Sequence, residues 1–161
     1  MKYFTYDLLT TINHEGLNEE KIEAAEQQWN NNSVLYAKTF QSLIDRLPFE
    51  VYDRFNGFGF HEYQLEKLAL GHTSLLHTNI DLILENDNER WKLSFINISN
   101  FKFNHLNQGA INPIFNPTLD SWVQEEFLSV DDDTLSFEVL FASGANIQIY
   151  FKNNNITMEK L

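Results

Sequence analysis

The chain has no cysteine, which excludes disulfides, thiolate metal ligands and a cysteine nucleophile. Proline and glycine are scarce, 3 and 6 in 161 residues, so each is read as deliberate punctuation. Basic residues are few as well: 11 Lys and Arg stand against 23 Asp and Glu, a formal net charge of −12. That balance repels phosphate backbones, and no compact Lys/Arg cluster offsets it, so neither nucleic acid nor anionic membrane is an expected partner. No apolar run approaches the length of a membrane span. Met1 to Ile12, interrupted by Lys2 and Asp7, lacks the apolar run of a signal peptide. The expected location is the cytoplasm.

Aromatic residues are plentiful: 14 Phe, 6 Tyr and 3 Trp within a 43% hydrophobic composition. That supply argues against disorder and for a large, rigid core. The length fits one domain, 1–161, with a mainly helical part over 1–57 and an antiparallel sheet part over 58–161. The acidic excess has two readings: it keeps a monomer in solution, or it speeds encounter with a basic protein surface.

The pivot between the two parts is Gly57-Phe58-Gly59-Phe60-His61-Glu62-Tyr63-Gln64-Leu65. Its glycines break the helical pattern. Tyr63, Leu65, Leu68 and Leu70 then follow a strand pattern whose irregular step at Glu66-Lys67 a β-bulge absorbs.

Before the pivot, Met1 to Leu9 reads as a short edge strand or an aromatic arm on the core, and Thr10 to Gly16 as a loop. Asn18 is an N-cap, with Glu19 and Glu20 at the positive end of the helix dipole. Ile22, Ala25, Trp29, Tyr36, Phe40, Leu43 and Leu47 recur at three- and four-residue steps. They predict one amphipathic helix from about Asn18 to Leu47, or two helices broken at Asn30-Asn31-Asn32-Ser33, where propensity is poor. Leu47-Pro48 is a boundary. Phe49, Val51, Tyr52 and Phe55 form a short second helix closed by Gly57.

After the pivot, Ile80, Leu82 and Leu84 alternate, Asn86-Asp87-Asn88 turns, and Trp91, Leu93 and Phe95 alternate again, which is a hairpin. Ile96, Ile98, Phe101 and Phe103 continue into the same or a following strand. His105 to Asp120 is a long loop. Leu135, Phe137, Val139 and Phe141 alternate, as do Ile147, Ile149 and Phe151, with turns at Asp131-Asp132-Asp133, Ser143-Gly144 and Asn153-Asn154-Asn155. The expected fold is α+β: the long amphipathic helix and the short second helix packed on one face of an antiparallel meander of about five to seven strands. Trp29, Phe40, Leu93, Phe137 and Ile149 are expected to be buried together.

Met1-Lys2-Tyr3-Phe4, Trp29, Leu47-Pro48 with Val51, Phe60-His61-Glu62, and Trp122-Val123-Gln124-Glu125-Glu126 carry a resemblance over most of the chain. Together they resemble an uncharacterised bacterial family common in Gram-positive species, whose members open in this way and have no established activity. In this chain Phe60-His61-Glu62 replaces a Leu-His-Asp-like step. Small helix-plus-sheet proteins with a His-Asp step entering the first long strand are also similar to immunity proteins of bacterial toxin systems, an analogy at the level of architecture.

Motifs for chemistry are few. His61 and Glu62 are adjacent, so on a strand they face opposite sides and form no dyad; a structural role at the junction is the expectation for both. His72 and His77 are five apart, a spacing that suits neither a strand face nor a helix turn, so no metal site is expected. Asp131-Asp132-Asp133 lacks the calcium-loop pattern, and no nucleophile elbow, phosphate loop or dinucleotide fingerprint occurs. No catalytic residue and no cofactor are assigned. Asp120, Trp122, Glu125 and Glu126 combine negative charge with a large aromatic and are the candidate binding residues; the alternative is that Trp122 alternates into the core and the acids face solvent. Two functions follow. One is a non-enzymatic binding protein, an immunity-type acidic antagonist of a basic partner such as a bacterial toxin. The other is a small hydrolase or metal-dependent enzyme using His61, Glu62 and the 105–120 loop. The sequence does not define an oligomeric state.

Overall fold

The computed structural model describes residues 1–14, 16–105 and 120–161. Three helices precede eight strands among these residues: α1 (Tyr6–Ile12), α2 (Glu19–Gln41), α3 (Phe49–Asn56), β1 (Gln64–Ser74), β2 (His77–Glu85), β3 (Arg90–Phe95), β4 (Asn100–Asn104), β5 (Trp122–Ser129), β6 (Thr134–Phe141), β7 (Asn146–Lys152) and β8 (Ile156–Lys160). The fold is α+β with antiparallel strands.

α2 starts where Asn18 accepts from the Glu20 amide, and it runs unbroken through Asn30–Ser33. The polar side chains there find partners: Asn32 Nδ2 donates to the Tyr3 carbonyl at 2.8 Å and Ser33 Oγ to the Trp29 carbonyl at 3.0 Å. The regular helix ends at Gln41, short of the expected Leu47. Beyond it the bonds tighten to three-residue steps, Leu43 N–H to the Phe40 carbonyl and Arg46 N–H to the Leu43 carbonyl, both 2.9 Å. The tighter winding still delivers Leu43 and Leu47 to the core. Pro48 precedes α3, its φ of −55° suiting the helix start. The first residues form an arm followed by α1, capped by Thr5, so helix occupies much of the stretch expected to be strand, arm or loop.

A single meander is not what forms. The strands divide into two sheets, ordered β1-β2-β3-β8 and β4-β7-β6-β5. The expected β2–β3 hairpin and the β5-β6-β7 meander are present, but β8 leaves β7 after the Asn153–Asn155 turn and pairs with β3. The expected irregularity at Glu66-Lys67 is a register shift between Leu65 and Lys67. The inner faces meet through aromatic rings: Phe95 of β3 lies 5.1 Å from Phe137 of β6 and 5.2 Å from Phe151 of β7. α2 meets β5 and α3 meets β8, the end strands of their sheets. Phe55 reaches Phe127 at 4.9 Å and Phe137 at 6.1 Å. Arg46 ties the link between these helices to the strand turns, donating to Asn153 Oδ1, Ser129 Oγ and the carbonyls of Asp131 and Thr134.

Phe40, Leu93, Phe137 and Ile149 share one apolar cluster. Trp29 does not join it; half-buried, it packs on Phe4 at 4.9 Å. Because Ile149 is fully enclosed, Ile149→Val should lower unfolding free energy by about 0.5–1.5 kcal/mol, the cost of one deleted methylene with partial relaxation. An unchanged urea midpoint would remove Ile149 from the packed layer.

Candidate functional site

β5 decides the fate of the residues assigned to binding. A register shift between Trp122 and Gln124 turns the Trp122 side chain inward, where it is fully buried. Trp122 packs 5.7 Å from Phe137 and 5.9 Å from Phe60. Glu125 follows on the same inner side, accepting a hydrogen bond from Trp122 Nε1. Glu126 points to the outer face, yet it has no exposed surface. The N-terminal arm roofs it, and the amides of Lys2, Tyr3 and Phe4 donate to its two oxygens at 2.7, 2.7 and 2.8 Å. Trp122 therefore takes the alternative place, in the core, while Glu125 and Glu126, expected to face solvent on either reading, are corrected to interior groups. Asp120 alone of the four faces solvent, and it accepts from Ser143 N–H and Oγ, both at 2.8 Å.

Glu125 has an unusual setting. Enclosure raises its pKa from an ordinary 4.5 to about 7, opposed by the Trp122 hydrogen bond and by the positive charge of Arg54. Gly59 closes over it with φ of +54°, and a Cβ at that position would collide with Glu125 Oε1. Glycine is thus required twice, by the left-handed backbone and by the carboxyl beneath it. Arg54 lies over the rings of Phe60, Trp91 and Tyr63 at 4.6, 5.3 and 5.6 Å, a cation held by aromatic faces. Its Nε is buried and has no hydrogen-bond partner among the described residues. Behind the rings, Glu89 accepts from Lys160 Nζ, Tyr63 Oη and Trp91 Nε1. These bonds, that of Lys160 foremost, pull its carboxyl down to about 2. The cluster joins α3, the pivot and strands of both sheets; Glu125 is enclosed within it, whereas Glu89 and Lys160 keep contact with solvent.

The pivot is fastened to β5. His61 Nδ1 lies 2.8 Å from the Val123 carbonyl oxygen. Glu62, at φ +70°, donates its amide to the Trp122 carbonyl at 2.9 Å, and Trp122 N–H returns a bond to the Tyr63 carbonyl at 2.7 Å. His72 pairs with Thr78 Oγ1 and His77 with Ser74 Oγ, each at 2.6 Å. Among the described residues no three His, Asp or Glu converge as metal ligands. Of the 105–120 loop, 106–119 lie outside the described residues, so the third member of the enzyme reading is not placed.

Acid and exposed aromatic do coincide, on α3. Val51 and Phe55, one turn apart, point into the core, which sends Phe49, Glu50 and Asp53 outward. Phe49 is 75% exposed and Phe58, between Gly57 and Gly59, is 92% exposed. Ile44 and Asp45 in the preceding turn are exposed too. The sequence pattern grouped Phe49 with the buried residues of its helix; the phase of Val51 and Phe55 was the signal that separates them. A second exposed apolar group, Leu70, Leu75 and Leu76, occupies the outer end of the β1–β2 hairpin.

No helix among the described residues is long and apolar enough to cross a membrane. Compared with known proteins, the chain matches no family model and no curated protein.

Proposed function

We propose that the chain is a non-enzymatic binding protein, an acidic antagonist of the immunity type that covers a basic protein such as a bacterial toxin, with the outer side of α3 as the contact. The observation that carries this reading is the pair of exposed rings, Phe49 on α3 and Phe58 in the turn that follows it, beside the exposed acids Glu50 and Asp53. Acids accelerate encounter with a basic surface, and aromatics then supply buried anchors. The likeness of the helix-plus-sheet architecture to immunity proteins supports the same reading by analogy.

The test is binding of the purified basic protein encoded by the neighbouring reading frame. Phe58→Ser should weaken the complex at least about tenfold, the scale of a 1.4 kcal/mol loss. Glu50→Lys with Asp53→Lys should slow association several-fold at low salt, with the effect shrinking as salt screens it. All three side chains are exposed, so folding is untouched. Binding indifferent to both variants, or a gene neighbourhood that encodes no such basic protein, would remove the assignment.

A further inference from the structure

Among the described residues β1 ends its sheet and is paired only on its β2 side, apart from the bridge between Gln64 and Ser121 at its start. A free edge in a folded protein is ordinarily blunted by proline, by charge or by a bulge. Here Glu66, Lys67 and the neighbouring bulge guard the first part of the strand, and a second register shift lies between His72 and Ser74, which leaves 68–72 as its regular, uncharged stretch. From residue 68 to residue 80 there is no Asp, Glu, Lys, Arg or Pro. That run lies within a chain of net charge −12. Leu70, Leu75 and Leu76 are exposed at 57%, 95% and 75% within it.

We infer that this edge is a self-association surface, on which β1 of one copy pairs antiparallel with β1 of a second copy about Leu70. Charge selects the occupant. Two copies at −12 repel over most of their surfaces, and an uncharged edge is where they approach at least cost. A basic partner, by contrast, gains nothing electrostatic there. An antiparallel strand edge is complementary to itself, as a two-fold interface requires. Centred on Leu70, the pairing sets Leu68 opposite His72 and Ala69 opposite Gly71. Beyond the two register shifts, Glu66 and Lys67 then lie toward the uncharged Thr73 and Ser74 of the other copy. No like charges oppose each other in this register. The contact is small, so the dimer is reversible and concentration-dependent.

Its salt dependence separates it from the α3 contact. Screening relieves repulsion between like-charged copies, so added salt strengthens the dimer, whereas it weakens a complex with a basic protein. Sedimentation velocity over a concentration series, at low and high salt, reads this directly. The wild type should shift from monomer to dimer with concentration, and more readily at high salt. Leu70→Lys and Gly71→Lys should each raise the dissociation constant at least tenfold, because both place two like charges at the centre of the pair. At Gly71 an added Cβ meets nothing within 4 Å, so that variant keeps the monomer fold even if Leu70→Lys does not. A monomer at every concentration and salt overturns the inference, as does a dimer that ignores both variants or weakens with salt. Phosphatidylcholine vesicles test the other apolar occupant: binding of monomer to them, lost in Leu75→Ser, would assign the hairpin to a lipid surface instead.

Discussion

Glu126→Ala should lower the unfolding free energy by about 3–5 kcal/mol. The reason is the number of donors that converge on one enclosed carboxylate. The amides of Lys2, Tyr3 and Phe4 end on its two oxygens, and a hydrogen bond to a charged group contributes about 1.5–3 kcal/mol. Alanine leaves three donors in search of water, and hydrating them means lifting the arm. That in turn uncovers Phe4, buried against Trp29 and Tyr36. Glu126→Gln separates the contributions. Oε1 alone serves Tyr3 and Phe4, so an amide oxygen in its place keeps two bonds. The amide nitrogen then faces the Lys2 N–H, donor against donor, and the loss should be smaller than that of alanine. Urea unfolding followed by tryptophan fluorescence measures both. Equal midpoints for wild type and Glu126→Ala would show that the arm is held by its other contacts, the packing of Phe4 and the Asn32 bond to the Tyr3 carbonyl among them.

This carboxylate also marks the limit of reading the chain by pattern. Local signals were legible: Asn18 as a cap, the Glu66-Lys67 irregularity, the Asn86–Asn88, Asp131–Asp133 and Ser143-Gly144 turns, and the alternation of β6 and β7. Each depends on neighbours within a few residues. The partner of β8 was not legible, because alternation reports which face a side chain takes and not which strand lies alongside. The Asn153–Asn155 turn is compatible with a hairpin, but Asn154, at φ +61°, donates its amide to the Arg46 carbonyl and the chain crosses to β3. Glu125 and Glu126 read as solvent-facing acids for the same reason. What buries Glu126 is an arm more than a hundred residues earlier, and what covers Glu125 is the Gly59 turn. Acid and aromatic do stand together at the surface on α3, where helix phase places Phe49, Glu50 and Asp53 outward.

The two exposed surfaces differ in kind. The α3 side carries Asp45, Glu50 and Asp53 among its exposed apolar residues, and the β1 edge beyond Lys67 carries no charge. On the two proposals, one molecule would hold a basic partner on α3 while its edge pairs with a second copy, and ionic strength would move the two equilibria in opposite directions.

Glu125→Gln should stabilise the protein above neutral pH by about 2–3 kcal/mol and have little effect near pH 4.5. Enclosure raises the Glu125 pKa from 4.5 to about 7 in the folded chain. Between those values the folded state binds the extra proton, so stability falls as pH rises through the window. Below pH 4.5 both states are protonated and enclosure costs no charge; above 7 the folded chain holds a carboxylate in an apolar setting at full cost, about 3 kcal/mol for a shift of this size. Glutamine is neutral throughout and its oxygen still accepts from Trp122 Nε1, so the indole donor keeps its partner. The gain stays somewhat below the full cost because Arg54, held among its rings, loses a nearby negative charge. The other carboxylates are common to both proteins, so the difference between their stability curves isolates this one group. Chemical unfolding of wild type and variant from pH 4.5 to pH 8.5 should show curves that meet at the acid end and diverge through pH 7. Parallel curves across the range would mean that Glu125 is ionised at an ordinary pKa, and that the closure of Gly59 over it leaves room for water.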